Sequence, residues 1–295
     1  GIAGLDTATV QVLSSAQIAA LGTRQIAALE TADLAAMTTA QFASLSSTQL
    51  ARLTTAQAAA LETADLATLN STQIRALSTA AVDALQAGQI EALSPTQVAA
   101  MSTAQLSHLA TITSNQLAAL STAQVASLGE AYGATLTSAD LSALSTAQLR
   151  LLSPGAIAGL DSADIVSLGT DQLNALTTAQ LRAISTAALA GLDAGDLASL
   201  GTARVTALSS VQLGAMGTDQ LNALTTAQVK SLTITQLDGL QSNDLAALST
   251  DRVAVLTAAQ IGSLDANQVP GLGALSTAQL TAVNVAAVGA LSATS

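Results

Sequence analysis

The sequence has no Cys, no Trp, one Tyr, one Phe, one His, three Pro and three Met among its 295 residues. Without Cys it forms no disulfide framework, thiolate metal site or thiol nucleophile. One His and three Met leave no ligand set for a transition metal or haem, so no cofactor is expected. Aromatic rings normally fill much of a core, each burying about 150–250 Å2. This core must be aliphatic instead.

Charge is scarce as well: 9% of residues are charged, against about 25% in ordinary domains. The formal net charge is −11, with 8 Lys and Arg against 19 Asp and Glu. Such a chain cannot neutralise a phosphate backbone, which excludes nucleic acid as a primary partner. No run of 18 apolar residues occurs, so no transmembrane segment is expected. Gly1, Ile2 and Ala3 show neither an initiating Met nor a signal-peptide pattern, which suits a mature product or a piece of a longer chain.

What is present is a period of eight. Leu45, Leu53, Leu61, Leu69, Leu77, Leu85, Leu93, Met101 and Leu109 follow one another without interruption. About 35 such octads tile residues 6–291, with two three-residue phase breaks, 110–112 and 273–275. There is no linker and no shift in composition, so residues 1–295 read as one octapeptide-repeat domain. Numbering each octad from 1 to 8, position 5 is aliphatic or Phe in all but two units (Ala58, Gly133), and position 8 is Leu, Met, Ile or Val. None of the 27 charged residues (8 plus 19) stands at either position. Positions 5 and 8 are therefore the expected core.

Position 1 is usually Ser, Thr, Asp, Asn or Gly, and position 4 is Gln in about 21 units and Asp in about six. That is capping-box spacing. Pro95 and Pro154 stand at position 2 directly after Ser, as proline does at the first residue of a helix. Acids concentrate at positions 1–4, whereas Arg52, Arg75, Arg150, Arg182 and Lys230 lie at positions 6–7, matching the helix dipole. One continuous helix is excluded, because eight residues at about 100° each rotate the apolar pair by roughly 80° per unit. Each octad is a helix of about one and a half turns, far too short to stand alone.

The expected fold is an all-α solenoid of about 35 very short helices. Two octads per coil are expected, because Glu30-Thr-Ala-Asp recurs at Glu62, and Gly169-Thr-Asp-Gln-Leu-Asn-Ala-Leu recurs at Gly217. Those spacings, 32 and 48, are multiples of 16; three or more octads per coil stay open. Small residues at positions 3 and 7 are expected to let neighbouring coils approach closely.

Several groups are candidate sites. Acids pair at positions 1 and 4 in Glu30/Asp33, Glu62/Asp65, Asp161/Asp164 and Asp193/Asp196. Each pair suits Ca2+, which takes six to eight oxygens, and suits a helix cap equally. Ser or Thr at position 2 in about 26 units forms a ladder suited to ordering water or ice, and helix-start preference explains it too. Gln at position 4 either stacks into amide ladders or caps its helix facing solvent. His108 has no acid or Ser partner in its own octad. Tyr132 and Gly133 mark a degenerate octad, a candidate bend, and Pro270 at position 6 should end its helix early. Both phase breaks read as extra turns or kinks. No nucleophile–base constellation or phosphate loop is visible, so catalysis is not expected.

Octads of the Leu-Ser-Thr-Ala-Gln-Ile-Ala-Ala-Leu type resemble the low-complexity repeat regions of large bacterial surface proteins, often labelled haem-utilisation or adhesion proteins. The resemblance implies an extracellular or cell-surface, structural or adhesive role. Gly1-Ile-Ala-Gly-Leu5 and Asn284 to Leu291 lack a polar capping variant, so the expected partner is the chain itself, stacked head to tail, or its own continuation. A binding module for ice, carbohydrate or Ca2+ is the alternative.

Overall fold

In octad 38–45, Thr38 is extended (φ −70°, ψ 155°), Thr39–Ala43 is helical, and Ser44 closes the last turn. The Gln41 backbone N–H donates to Thr38 Oγ1 at 3.3 Å, and the Thr38 N–H donates to Gln41 Oε1 at 2.7 Å. This reciprocal cap satisfies two of the orphan donors at a helix start. The same unit repeats throughout a computed structural model that describes residues 7–288 except 110, 129, 134, 274 and 286. Among the described residues there are 33 α-helices of four to six residues, one 3-10 turn and no strand. Pro95 and Pro154 open their helices, where no N–H is required. Residues 1–6 and 289–295, and with them most of the expected uncapped ends, lie outside the described residues.

Positions 5 and 8 form the core, as in Phe42, Leu45, Leu50 and Leu53. Position 4 is buried beside them: Gln41, Gln49, Gln57 and Gln73 are polar members of the core that the apolar pattern does not reveal. Position 3 faces solvent, as in Ala40, Ala56 and Ala80, so only the position-7 half of the expected small-residue contact is found. There, Ser44 Oγ donates to the Ser15 carbonyl at 3.1 Å, and an added Cβ on Gly239 would strike the carbonyl of Ser210.

The helices form a solenoid, but not one of two octads per coil. Thr39–Ala43 packs on Ser15–Ala19 and on Thr63–Thr68, three octads away on either side. Side-chain bonds reach four octads back, as from Gln41 Nε2 to the carbonyls of Val10 and Leu13. A coil thus holds between three and four octads. Two per coil would demand a full reversal at every corner, and tight two-residue reversals use positive φ. No described residue outside glycine, and no described glycine, has positive φ. The corner is instead an extended pair at positions 8 and 1, which turns the chain by less than a reversal.

The phase breaks are shortened sides, not extra turns. Pro95–Ala100 packs on Ser114–Ala118, two octads on, because the break at 110–112 stands where an octad would. Gln116 Nε2 accordingly reaches Leu93 and Ile90 across 23 and 26 residues, where Gln105 spans 28 and 31. Ile112 fills a core slot at the end of the break. Gln279 repeats the shortened spacing, to Leu256 and Val253, after 273–275. The chain divides into two compact units, residues 1–135 and 136–295, and the division falls in the degenerate octad of Tyr132.

Candidate functional site

The most regular chemistry in the molecule is the column of position-4 side chains. Gln57 shows the pattern: Oε1 accepts from the Thr54 N–H at 2.9 Å, while Nε2 donates to Ile26 and Leu29 carbonyls, both at 2.8 Å. One amide thereby caps its own helix and closes the end of a helix on the neighbouring coil. Gln97, Gln180, Gln212 and Gln236 do the same. The bonds run from amide to backbone, so the column is not an amide-to-amide ladder, and its buried members are not solvent-facing caps, a role that the exposed Gln17 takes instead. Nothing in the spacing of one octad could reveal this, because the acceptors belong to an octad four units back along the chain.

Arg and Asp take other roles in the same slot. Arg204 Nε donates to the Asn174 carbonyl at 2.8 Å and Arg252 Nε to that of Leu224 at 2.9 Å, each four octads back. Asp can only accept when ionised. Thr7 Oγ1 donates to Asp33 at 3.2 Å and Ser138 Oγ to Asp164 at 2.9 Å, each hydroxyl standing at position 2 of the octad three back. Asp65 is buried, and burial first, then the Glu62 carboxylate, push its carboxyl up from 3.8 to about 6.

The expected acid pairs behave as helix starts. Asp161 and Asp193 Oδ1 accept from the N–H groups of Asp164 and Asp196 at 3.0 and 2.8 Å, and the later carboxylates reach back at 3.2 and 3.3 Å. Glu30 and Glu62 are exposed and make no side-chain cap bond. Among the described residues no three His, Cys, Asp or Glu come together. His108 does meet an acid: its Nδ1 lies 3.5 Å from Asp83 Oδ1, on the octad three before its own. That partner is invisible in the sequence, which does not state the length of a coil.

Pro270 has the effect its position implies. Octad 265–272 lacks an α-helix and carries only the 3-10 turn Val269–Gly271. A cleft of about 710 Å3 opens beside it, lined by Asp238, Gln241, Asn243, Asp265 and Asn267 over Pro270.

Comparison with known sequences agrees with the periodicity. The ALTTAQ repeat matches residues 2–31, 26–63, 58–95, 134–178, 165–202, 189–226, 197–235 and 237–273. No curated protein matches the chain. The six letters stand unaltered at Ala175 to Gln180 and Ala223 to Gln228, where they spell one corner, one N-cap and the bridging amide. By its sequence and by the geometry those letters encode, the chain belongs to the ALTTAQ repeat family.

Proposed function

We propose that the chain is a non-enzymatic structural protein, an extracellular filament or stalk that is adhesive or matrix-building, whose octad stack continues from copy to copy. The observation that carries this reading is the direction of the position-4 bonds. Among the described residues every bridging Gln gives its amide hydrogens to an earlier coil and none to a later one. A stack of this kind, whatever its length, ends in unpaired donors on one side and unpaired carbonyls on the other. Those two faces complement each other by a step along the stack, a heterologous contact that does not close and therefore gives a fibre. The cell-surface placement draws on the resemblance of the octads to bacterial surface repeats.

The test is light scattering over a hundredfold range of concentration, with negative-stain microscopy of the same samples. Mass that grows with concentration, and fibres of one uniform width, are expected. A constant monomer mass over the whole range, with isolated particles, overturns the proposal.

A further inference from the structure

Nearly identical octads create a problem of register. The bridging Gln accepts within its own octad and donates to backbone carbonyls that every octad possesses. A stack slipped by one octad would satisfy such amides equally well. Specificity must come from residues that break the pattern.

Two such residues are Arg204 and Arg252, which stand at position 4 in place of Gln. Arginine has five donors and no acceptor, so neither can take the N–H at the start of its own helix, as Gln does. In both octads an asparagine four octads earlier takes it instead. Asn174 Oδ1 accepts from the Gly201 N–H at 2.9 Å, and Asn222 Oδ1 accepts from the Ser249 N–H at 2.9 Å. The amide nitrogens are used as well: Asn174 Nδ2 donates to Ser199 at 3.0 Å, and Asn222 Nδ2 donates to the Ala247 carbonyl. Arg204 Nε returns a bond to the backbone of Asn174 itself. In the whole sequence Asn stands at position 6 of two octads and Arg at position 4 of two, and the separations 174 to 204 and 222 to 252 are identical.

We infer that Asn at position 6 and Arg at position 4, four octads later, form a register code that specifies which coil lies on which in the second unit. In a slipped stack the Gly201 N–H meets no acceptor, while Asn174 meets a helix start already capped by its own Asp196 or Gln212. The echo of Gly169 at Gly217 is thus the spacing between two copies of this device.

A double-mutant cycle tests it in the full chain. Asn174→Ala is expected to lower the thermal midpoint by about 2–4 °C and to speed exchange of the Gly201 amide about tenfold. Arg204→Gln alone should change little. The pair Asn174→Ala/Arg204→Gln should return the midpoint to within about 1 °C of the parent, because Gln brings its own acceptor. A pair as impaired as Asn174→Ala alone overturns the code. Transplantation supplies a second arm. Gln228→Arg removes the acceptor of the Thr225 N–H, and Ala198→Asn places a new one at the coded separation. Gln228→Arg should lower the midpoint and the added Ala198→Asn should restore it; failure of that restoration also overturns the code.

Discussion

The two units build the same kind of stack by different means. In the first, Gln41, Gln49, Gln57, Gln73, Gln89, Gln97 and Gln105 hold successive coils with one repeated amide bridge. In the second, the same bridge shares the slot with Arg204 and Arg252 and, as with Asp33 and Asp65 in the first, with Asp164, Asp196 and Asp244, while Gly191, Gly239 and Gly271 press against the carbonyls of Ser162, Ser210 and Ser242 on a neighbouring coil. Gln and Arg both donate from this slot to carbonyls at positions 5–8 of an earlier helix, whereas Asp164 accepts from the Ser138 hydroxyl. The slot thus tolerates several side chains because each finds a partner on a neighbouring coil.

Breaking the bridge in the first unit should have the largest effect. Gln57→Ala leaves the Thr54 N–H without its acceptor and the buried carbonyls of Ile26 and Leu29 without that donor. Unsatisfied buried groups cost about 1–3 kcal/mol each, so a loss of about 2–4 kcal/mol is expected in urea unfolding. Gln17 is exposed and makes the cap bonds alone, and Gln17→Ala should cost about 0.5–1 kcal/mol. Equal losses would show that the bridge between coils contributes nothing.

The close approach in the second unit is tested next. The Cβ of Gly239→Ala would strike the Ser210 backbone, which cannot move aside as a flexible side chain can. A loss of about 1–3 kcal/mol is expected from this overpacking. Gly88, in helix Ala87–Glu91 of the first unit, has nothing within 4 Å of an added Cβ. Gly88→Ala should therefore stabilise by about 0.5–1 kcal/mol through helix propensity, so the two substitutions move the urea midpoint in opposite directions.

These contrasts mark how far a single octad can be read. Helix starts at Thr38, Ser46 and Ser94, and the core roles of Phe42 and Leu45, follow from side-chain chemistry and periodicity inside one repeat. The burial of Gln41, the partner of His108 and the pairing of Asn174 with Arg204 depend on which octads lie on one another. That in turn depends on the corner at positions 8 and 1, and corner angles follow from backbone geometry that no repeat spacing reports. The echo of Glu30 at Glu62 is one step of four octads, and that of Gly169 at Gly217 is two steps of three. Both steps join neighbours in the stack, but their common divisor of two octads conceals them. The fixed separation of each Asn from its Arg singles out the four-octad step.

Asp65 offers a test within the first unit, where an acid sits in the Gln column. Its carboxyl is raised from 3.8 to about 6 in the folded chain, so the folded state holds the proton more tightly than the unfolded state. The contribution to stability is fully present below about pH 4 and is lost as pH rises through about 6. Unfolding in urea should be harder at pH 4.5 than at pH 7.5. Asp65→Gln should remove most of that difference and stabilise the unit by about 1 kcal/mol at pH 7.5, after allowance for partial solvent screening. A variant whose pH dependence matches the parent would transfer the effect to another group.

The smallest effect is expected where a bond between coils lies at the surface. His108 and Asp83 bridge octads on adjacent coils, the same kind of connection that Gln57 makes, and their separation is 3.5 Å. Both side chains are exposed, and a contact between exposed polar groups contributes about 0–1 kcal/mol because water already solvates each partner. Asp83→Ala should therefore shift the urea midpoint by an amount equivalent to less than about 0.5 kcal/mol. Both join adjacent coils, but Gln57 is buried and serves three backbone groups, whereas the pair is exposed and leaves no backbone group unpaired. If Asp83→Ala proved as damaging as Gln57→Ala, connection between coils would matter more than the desolvation of buried carbonyls, and the position-4 column would lose its special standing.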